Sequence, residues 1–290
     1  MNNTIKRNTG LAYHFHLLRA NPLSFMGCIF IVFLIVIALI APLIVPHVEH
    51  ATGGVDSRNM FQPPQWGYPF GTDEAGRCIF SRIVMGTRIS LGIGVLTIGL
   101  TLLIGVPLGA IAGYFGGFID ELIMRITDVF LSFPPLLLAM AISAMLGPAL
   151  HNMMIAIAVS WWPWYTRLVR AQAVSLRERA FVEASRAVGV KPLKIVSRHI
   201  IPNCIAPIIV QGSMDFGFII LTSASLSFLG LGAQSPMPEW GLMVSTGRTY
   251  FLTSWWVVTF PGLAIFVTVL AFNLIGDGLR EIMDPKTRGV

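Results

Sequence analysis

The amino-acid sequence predicts an all-α, polytopic membrane protein with about six transmembrane helices. Of its 290 residues, 54% are hydrophobic and only 12% are charged, whereas soluble domains carry about 25% charged residues. The apolar residues also come in long blocks, because no Asp, Glu, Lys or Arg occurs in the stretches 20–48, 89–119, 129–166 and 249–276. Each block exceeds the roughly 20 apolar residues that cross the hydrocarbon core of a bilayer.

The predicted helices follow from these blocks in chain order. A polar segment, 1–24, precedes the first transmembrane helix, 25–45, which is longer than the roughly 7–15 apolar residues of a signal peptide and is therefore predicted to stay uncleaved. Residues 46–88 form a predicted external loop. The predicted transmembrane domain, 89–277, precedes a polar tail, 278–290, and contains five helices: 89–112, 123–146, 153–168, 206–231 and 254–275. The helices 123–146 and 153–168 are separated at Gly147-Pro148, because one helix over the uncharged block that they share would be about 57 Å long.

The basic residues indicate the orientation of the chain. With both termini in the cytoplasm, 15 Lys and Arg residues lie in cytoplasmic segments and five lie outside, as the positive-inside rule requires. Because these residues flank membrane spans, we expect no nucleic-acid partner. The three cysteines have no spacing typical of a zinc site or a disulfide framework. No metal site is predicted, although the role of His47, Glu49 and His50 outside the first helix stays open.

The loop 171–203, between the fourth and fifth predicted helices, is strongly basic and amphipathic. Its first part predicts a helix over 171–188, supported by an attractive pair of Arg179 and Glu183 at i,i+4. Gly189 suits the left-handed position that ends a helix, and Pro192 suits the first turn of the next. Two short helices joined at an angle would form a rigid projection that transmits movement between a soluble motor and the membrane helices.

Several motifs resemble those of one transporter family. Glu183-Ala184, Gly189 and Ile201-Pro202 have the spacing of the "EAA" loop of binding-protein-dependent ABC importer permeases, from which Ser185 and His199 depart. The motifs FGTDEAGR, ASLSFLGLGA, PEWG and HIIPN resemble the peptide/nickel branch and its C-type subunit; they occupy 70–77, 224–233, 238–241 and 199–203. Cys78 stands where Asp is expected.

The resemblance implies a type I ABC importer permease fold in a bacterial or archaeal cytoplasmic membrane. It implies three kinds of protein partner, namely a second homologous permease, two cytoplasmic ATPases and a periplasmic or lipoprotein substrate-binding protein. The coupling residues implied are Glu183, Ala184, Ser185, Arg186 and Gly189. The external contact loop implied comprises Gly71, Thr72, Asp73, Gly76 and Arg77.

The chain is predicted not to be an enzyme. Its four lysines lie outside any Gly-x-x-x-x-Gly-Lys-Ser/Thr sequence, so no cofactor is expected on it, and ATP and Mg²⁺ belong to the partner ATPases. Peptides are the first expected substrate, and nickel or a metal chelate is the alternative. A stand-alone secondary transporter is the alternative of a different class, and the absence of paired intramembrane charges argues against it.

Asp215 is the one acidic residue well inside a predicted span. Intramembrane ionisable residues are expensive and mark functional sites by default. Asp215 would then line the pathway and meet a peptide amino terminus or a cation. The alternative is a structural hydrogen bond between helices, and the sequence leaves both open, as it does the identity of the helices that line the pathway.

Overall fold

The computed structural model describes residues 21–283, and its regular elements in that range are all helical. The predicted all-α fold class is therefore confirmed. The calls on the first twenty residues and on the last seven lie outside the described residues. The α-helices are α1 (Pro22–Ile44), α2 (Val48–Ala51), α3 (Ile79–Phe115), α4 (Gly117–Leu131), α5 (Pro135–Leu146), α6 (Leu150–Leu176), α7 (Ala180–Ala187), α8 (Pro192–Ile195), α9 (Ile201–Asn203), α10 (Ile205–Phe228), α11 (Trp240–Gly247) and α12 (Trp256–Met283). Short 3₁₀ turns cover Ser57–Asn59 and Arg248–Tyr250, and a π-helical stretch, Val196–Ile200, joins α8 to α9.

Four helices of the described range are long and apolar enough to cross a membrane: α1, α3, α10 and α12. A fifth span results if α4 and α5 count as one, but these two are bent by 86°. The predicted continuous helix 123–146 is therefore wrong. Its interruption follows from Pro134 and Pro135, because proline disfavours helical conformation in the residue before it and cannot donate a backbone hydrogen bond.

The fourth predicted span corresponds to α6, which is too polar to meet the same criterion. It nevertheless packs side by side with α3, and the two helices run parallel. The contact surface on α3 is a row of small residues: a Cβ added at Gly105 would lie 2.8 Å from the Tyr165 side chain, and one at Gly109 would lie 2.9 Å from Val169. Polar residues are tolerated in α6 because most of its surface packs against protein, with Tyr165 and Val169 fully buried.

Three predicted helix boundaries differ from the structure by about eight residues or more. Helix α3 begins at Ile79, ten residues before the predicted start at 89, so the long loop ends at Cys78. Arg82 lies inside this helix although its charge suggested a loop; the side chain is 3% exposed and bonds to loop carbonyls. Helix α6 continues to Leu176 and α12 to Met283, well past the predicted ends at 168 and 275.

The helix bundle has two ends, which we call the coupling end and the opposite end. At the coupling end lie the C-termini of α3 and α6 with the segment 177–203. The start of α1 meets the end of α12 there, because the Asn21 amide donates to Glu281 (Nδ2 to Oε2, 3.1 Å). At the opposite end, the loop 45–78 packs against α11 and the start of α12, where the Trp256 indole donates to the Thr72 carbonyl (3.2 Å).

Candidate coupling and translocation sites

The coupling loop, residues 177–203, is anchored by one apolar side chain of α7. Val182 is fully buried and packs in a cluster with Ala173 of α6 and with Ile195 and Ile200 of the following helical turns. An amphipathic helix that buries its apolar stripe against a rigid base has a fixed orientation. The loop is therefore held firmly against the C-terminal ends of α3 and α6.

The predicted coupling residues lie together on the outer side of this loop. Glu183, Ala184 and Gly189 are exposed, as is Arg186, while Ser185 is half-buried. The same surface carries exposed apolar side chains, namely Phe181, Val188 and Leu193. An apolar surface with a few charges and without a covering element of the described chain is typical of a protein-binding site.

The helix predicted over 171–188 is interrupted at residues 177–179. Arg179 takes an extended conformation before α7, and among the described residues no ion pair joins it to Glu183. The second basic residue, Arg186, binds Tyr114 at the end of α3: its Nε donates to the phenol oxygen (3.3 Å), and the guanidinium carbon lies 4.9 Å from the ring centroid. The brace of the coupling loop is therefore a contact with α3, which the sequence did not predict.

Gly189 ends α7 in the left-handed region, with φ of +78°, as predicted. A Cβ added there would meet no heavy atom within 4 Å. The glycine therefore serves the turn, and the space around it is open in this chain.

Asp215 lies in α10 and is 5% exposed. Its Oδ1 accepts a hydrogen bond from Gln211 Nε2 (3.1 Å), one helical turn away. Among residues 21–283, no hydrogen bond of regular geometry reaches its Oδ2 or the buried Tyr165 hydroxyl, although the Tyr165 and Trp161 side chains of α6 lie close enough to interact with the carboxylate. Two buried polar groups thus remain incompletely satisfied side by side, which is costly in a packed interior.

Asp215 lines an open groove of about 670 Å³ between α6, α10 and the end of α12. Gln172, Gln211 and Arg280 contribute polar groups, and the rest of the lining is mainly apolar. Ligand pockets commonly have about 300–1,000 Å³ and combine apolar walls with a few polar groups. The groove has the size and composition of a small-solute site.

The predicted external contact loop is folded upon itself. Asp73 and Arg77 are 4% and 6% exposed and form an ion pair (Oδ2 to Nε, 2.7 Å). Asp73 Oδ1 accepts the backbone N–H groups of Ala75 (2.9 Å) and Arg77 (2.8 Å). Thr72 is also fully buried. These side chains stabilise the loop, and the contact role that the resemblance implies for the loop stays a prediction.

Gly71 and Gly76 both have positive φ, +74° and +73°. A Cβ on Gly71 would lie 2.6 Å from the Gln62 carbonyl oxygen, and one on Gly76 would overlap that of Asp56. Close backbone approach therefore requires glycine at both positions. Their role in this loop is structural.

Arg82 is a residue of this region to which the sequence assigned no role. Its Nη1 donates to the carbonyls of His50 (3.3 Å) and Pro236 (3.2 Å), and its Nε lies 3.6 Å from Asp73 Oδ2. It therefore connects three separate segments at the opposite end.

The histidine cluster lies beside this network. Ligand atoms of His47, Glu49 and His50 lie within 4.8 Å of one another. The His50 ring stacks on His47 and its Nδ1 accepts the Cys78 backbone N–H (3.0 Å). Burial, with the neighbouring His47, lowers the pKa of His50 below its usual value. A neutral His50 thus joins α2 to the start of α3, and its Nδ1 is already engaged.

The fold and these sites define a multi-pass membrane permease, and comparisons with known proteins specify it. Residues 105–289 match the family described as binding-protein-dependent transport system inner membrane component, and residues 11–64 match the N-terminal TM domain of oligopeptide transport permease C. The dipeptide transport system permease protein DppC of Alkalihalophilus pseudofirmus is 48% identical over 274 residues, which cover 94% of this chain and 89% of that protein.

Two further comparisons agree. The glutathione transport system permease protein GsiD of Pectobacterium atrosepticum is 44% identical over 90% of this chain and 86% of its own length. A solved inward-facing MetNI methionine ABC transporter is similar in fold, with a TM-score of 0.56 and 18% identity, over 71% of this chain and 98% of that one. The chain belongs to the family of binding-protein-dependent transport system inner membrane components. The resemblance to its C-type peptide permeases is confirmed.

Proposed function

We propose that this chain is one of two permease subunits of an ATP-driven importer, and that it forms with its homologous partner the path for peptides delivered by an external binding protein. The support comes from relatives that are named for transport of dipeptides or glutathione and that match this chain over about nine-tenths of its length. The subunit itself moves solute without catalysing a reaction. ATP and Mg²⁺ bind to separate ATPase subunits.

The observation that carries this proposal is the division of the coupling loop into a buried anchor and an exposed face. Val182 fixes the loop to α6 and the following turns, while Glu183, Ala184 and Gly189 point the other way, beside exposed apolar side chains. A rigid projection can transmit both push and pull, provided that its outer face docks into a partner. The ATPase is the partner proposed for this face.

The same proposal fixes the remaining partners and the orientation. The coupling end faces the cytoplasm together with both termini, in a bacterial or archaeal cytoplasmic membrane. The opposite end, which contains the loop 45–78, meets the external binding protein. Asp215 lies on the proposed pathway, because it opens into a groove that combines an acid within a predicted span with space for a solute.

The proposal is tested by reconstituting the importer, with its partner subunits and binding protein, in proteoliposomes and measuring ATP-dependent uptake of labelled alanyl-alanine. Replacing Gly189 with Leu adds a side chain to the docking face at a position where the chain itself has space. We expect the variant to assemble and hydrolyse ATP but to lose most uptake. Gly147→Leu is the matched control, because Gly147 also has positive φ and open space around its Cβ position.

The outcomes separate the alternatives. Uptake without ATPase subunits would contradict the proposal and favour a stand-alone transporter. Uptake of Ni²⁺ or a nickel chelate in place of alanyl-alanine would retain the machinery and replace the substrate. Equal uptake by Gly189→Leu and the wild type would remove the coupling role from this loop.

A further inference from the structure

The groove beside α10 contains one acid and one base that do not pair with each other. Asp215 and Arg280 both line it, and no ion pair joins them among the described residues. Arg280 is exposed and takes part in no ion pair within residues 21–283, whereas Asp215 is buried with Oδ2 unpartnered. Opposite charges in one groove without mutual contact are suited to a ligand that carries both charges.

The spacing of the two groups follows from the packing of α10 against α12. A Cβ on Gly276 would overlap the Met214 side chain, so these two residues lie at the same level. Arg280 follows Gly276 by four residues, about 6 Å further along the axis of α12. An extended dipeptide spans at most about 7 Å. The axial offset between the levels of Met214 and Arg280 is therefore comparable to the length of a dipeptide, and the groove that both Asp215 and Arg280 line runs across this offset.

The surroundings of Asp215 favour a cationic ligand over a purely structural role. Gln211 donates to Oδ1, and among residues 21–283 no donor reaches Oδ2 with regular hydrogen-bond geometry. The buried Tyr165 hydroxyl, which also lacks such a bond, and the Trp161 side chain lie close enough to interact with the carboxylate. A carboxylate that served only to join helices would be expected to use both oxygens within the protein, since an unsatisfied buried polar atom costs free energy. An ammonium group carries three donors and can satisfy Oδ2 and the Tyr165 oxygen together.

We propose that this groove is a binding subsite for zwitterionic peptides within the permease itself, in which Asp215 holds the α-ammonium group and Arg280 holds the α-carboxylate. The inference rests on the proposed function and deepens it, because it gives this subunit its own selection for free peptide ends after release from the binding protein. Gln211 and Tyr165 act as positioning residues that orient Asp215.

The test uses the importer in lipid nanodiscs with all membrane and ATPase subunits but without the binding protein. Equilibrium binding is measured for three probes: labelled alanyl-alanine, its N-acetyl form and its C-terminal amide. We expect the wild type to bind alanyl-alanine about tenfold or more tightly than either blocked form, as expected for the loss of one charge-assisted hydrogen-bonded contact.

The variants identify which group recognises which end. Asp215→Asn is expected to weaken alanyl-alanine binding about tenfold while leaving the N-acetyl form unchanged, because that form lacks the ammonium group. Arg280→Gln is expected to act in the same way on alanyl-alanine and to leave the amide unchanged. Asp277→Asn removes an exposed charge from the same helix outside the groove lining and is expected to change none of the three affinities.

The result that would overturn the inference is equal binding of the three probes by the wild type, or no saturable binding at millimolar concentration. Equal weakening of all three probes by Asp215→Asn would assign the carboxylate to structure and would also overturn it. The wild-type comparison of probes decides the matter even if a variant fails to assemble. Uptake of alanyl-alanine by the complete wild-type importer is measured in parallel. Normal uptake together with equal binding of the three probes would refute only the subsite, whereas absence of uptake would refute the proposed function.

Discussion

The loops at the two ends of the molecule place the residues of their motifs in opposite ways. At the end that contains the loop 45–78, the motif residues Thr72, Asp73 and Arg77 are buried, and Asp73 and Arg77 are bonded to each other. At the coupling end, the motif residues Glu183 and Ala184 are exposed. Val182 is the one residue of the helix α7 that is buried. The first motif builds a structure, and the second presents a surface.

This difference shows that a recognisable motif does not by itself identify a contact site. The family resemblance implied a contact loop around Asp73, and charged residues in a loop are usually solvated. The structure instead satisfies Asp73 with backbone N–H groups and two arginines. If this contrast is correct, substitutions at the opposite end should act on stability, and substitutions on the coupling face should act on transport.

The largest expected effect on stability is that of Asp73→Ala. Removing this carboxylate leaves Arg77 and Arg82 buried without their common acid, and breaking a buried ion pair on one side costs about 3–5 kcal/mol. We expect a large drop in the melting temperature of the purified importer and poor assembly.

Glu183→Ala is the matched control on the coupling loop, because it also removes one carboxylate but from an exposed position without an ion pair among the described residues. Its melting temperature should stay close to that of the wild type, since isolated surface charges contribute little. A melting temperature of Asp73→Ala within a degree or so of the control would contradict the structural role of the Asp73 network.

A smaller effect is expected from alanine at two glycines with nearly the same φ, +73° at Gly76 and +78° at Gly189. Both substitutions place a Cβ in the left-handed region, which costs about 1–2 kcal/mol. At Gly76 the added atom would also overlap the Asp56 carbonyl oxygen, whereas at Gly189 it meets no heavy atom within 4 Å. Overpacking of this kind adds about 1–3 kcal/mol.

Thermal unfolding of the two variants, measured in parallel, isolates the contribution of packing because the backbone strain is common to both. Gly76→Ala should melt at the lower temperature. The same melting temperature for both would mean that the loop 45–78 moves away from Gly76 without cost, and the rigid description of the opposite end would then be wrong.

The sequence was sufficient for the fold class because long uncharged blocks require a lipid environment. It also predicted a helix at α6, although too short at its C-terminal end, and it missed the α4–α5 bend. Helix α6 is polar because α3 and its other neighbours shield it from lipid, and hydropathy measures only the lipid-facing requirement. The bend depends on Pro134 and Pro135, which lie in the same uncharged block as Gly147-Pro148. A single break at Gly147-Pro148 already accounted for the length of this block, so nothing in the sequence required a second break at the prolines.

The candidate sites were predictable to different degrees. The turn at Gly189 depends on local conformation, which a sequence pattern specifies. The Arg186–Tyr114 contact joins residues 72 positions apart, and the groove that Asp215 and Arg280 both line is formed by residues 65 positions apart. Contacts of this kind arise from tertiary packing, so no local pattern could have indicated them.

The smallest expected effect concerns pH and again distinguishes the two ends. Burial lowers the pKa of His50 in the folded protein below its ordinary value of 6.5, so the unfolded chain binds the proton more readily. The stabilisation is therefore complete above about pH 6.5 and is lost as the pH falls below that value, by at most about 1.4 kcal/mol per pH unit. Protonation also removes the Nδ1 acceptor of the Cys78 N–H group.

Melting temperatures between about pH 7.5 and about pH 5.5 measure this effect. In His50→Gln the amide oxygen can still accept the Cys78 N–H group but does not titrate, so the variant should lose the part of the decrease that His50 contributes. His199→Gln on the coupling loop, where the ring is only half-buried, should keep the wild-type decrease. If the melting temperature of His50→Gln fell as much as that of the wild type, the link between α2 and the start of α3 would not depend on a neutral imidazole. The pH dependence of stability would then have to come from other buried groups.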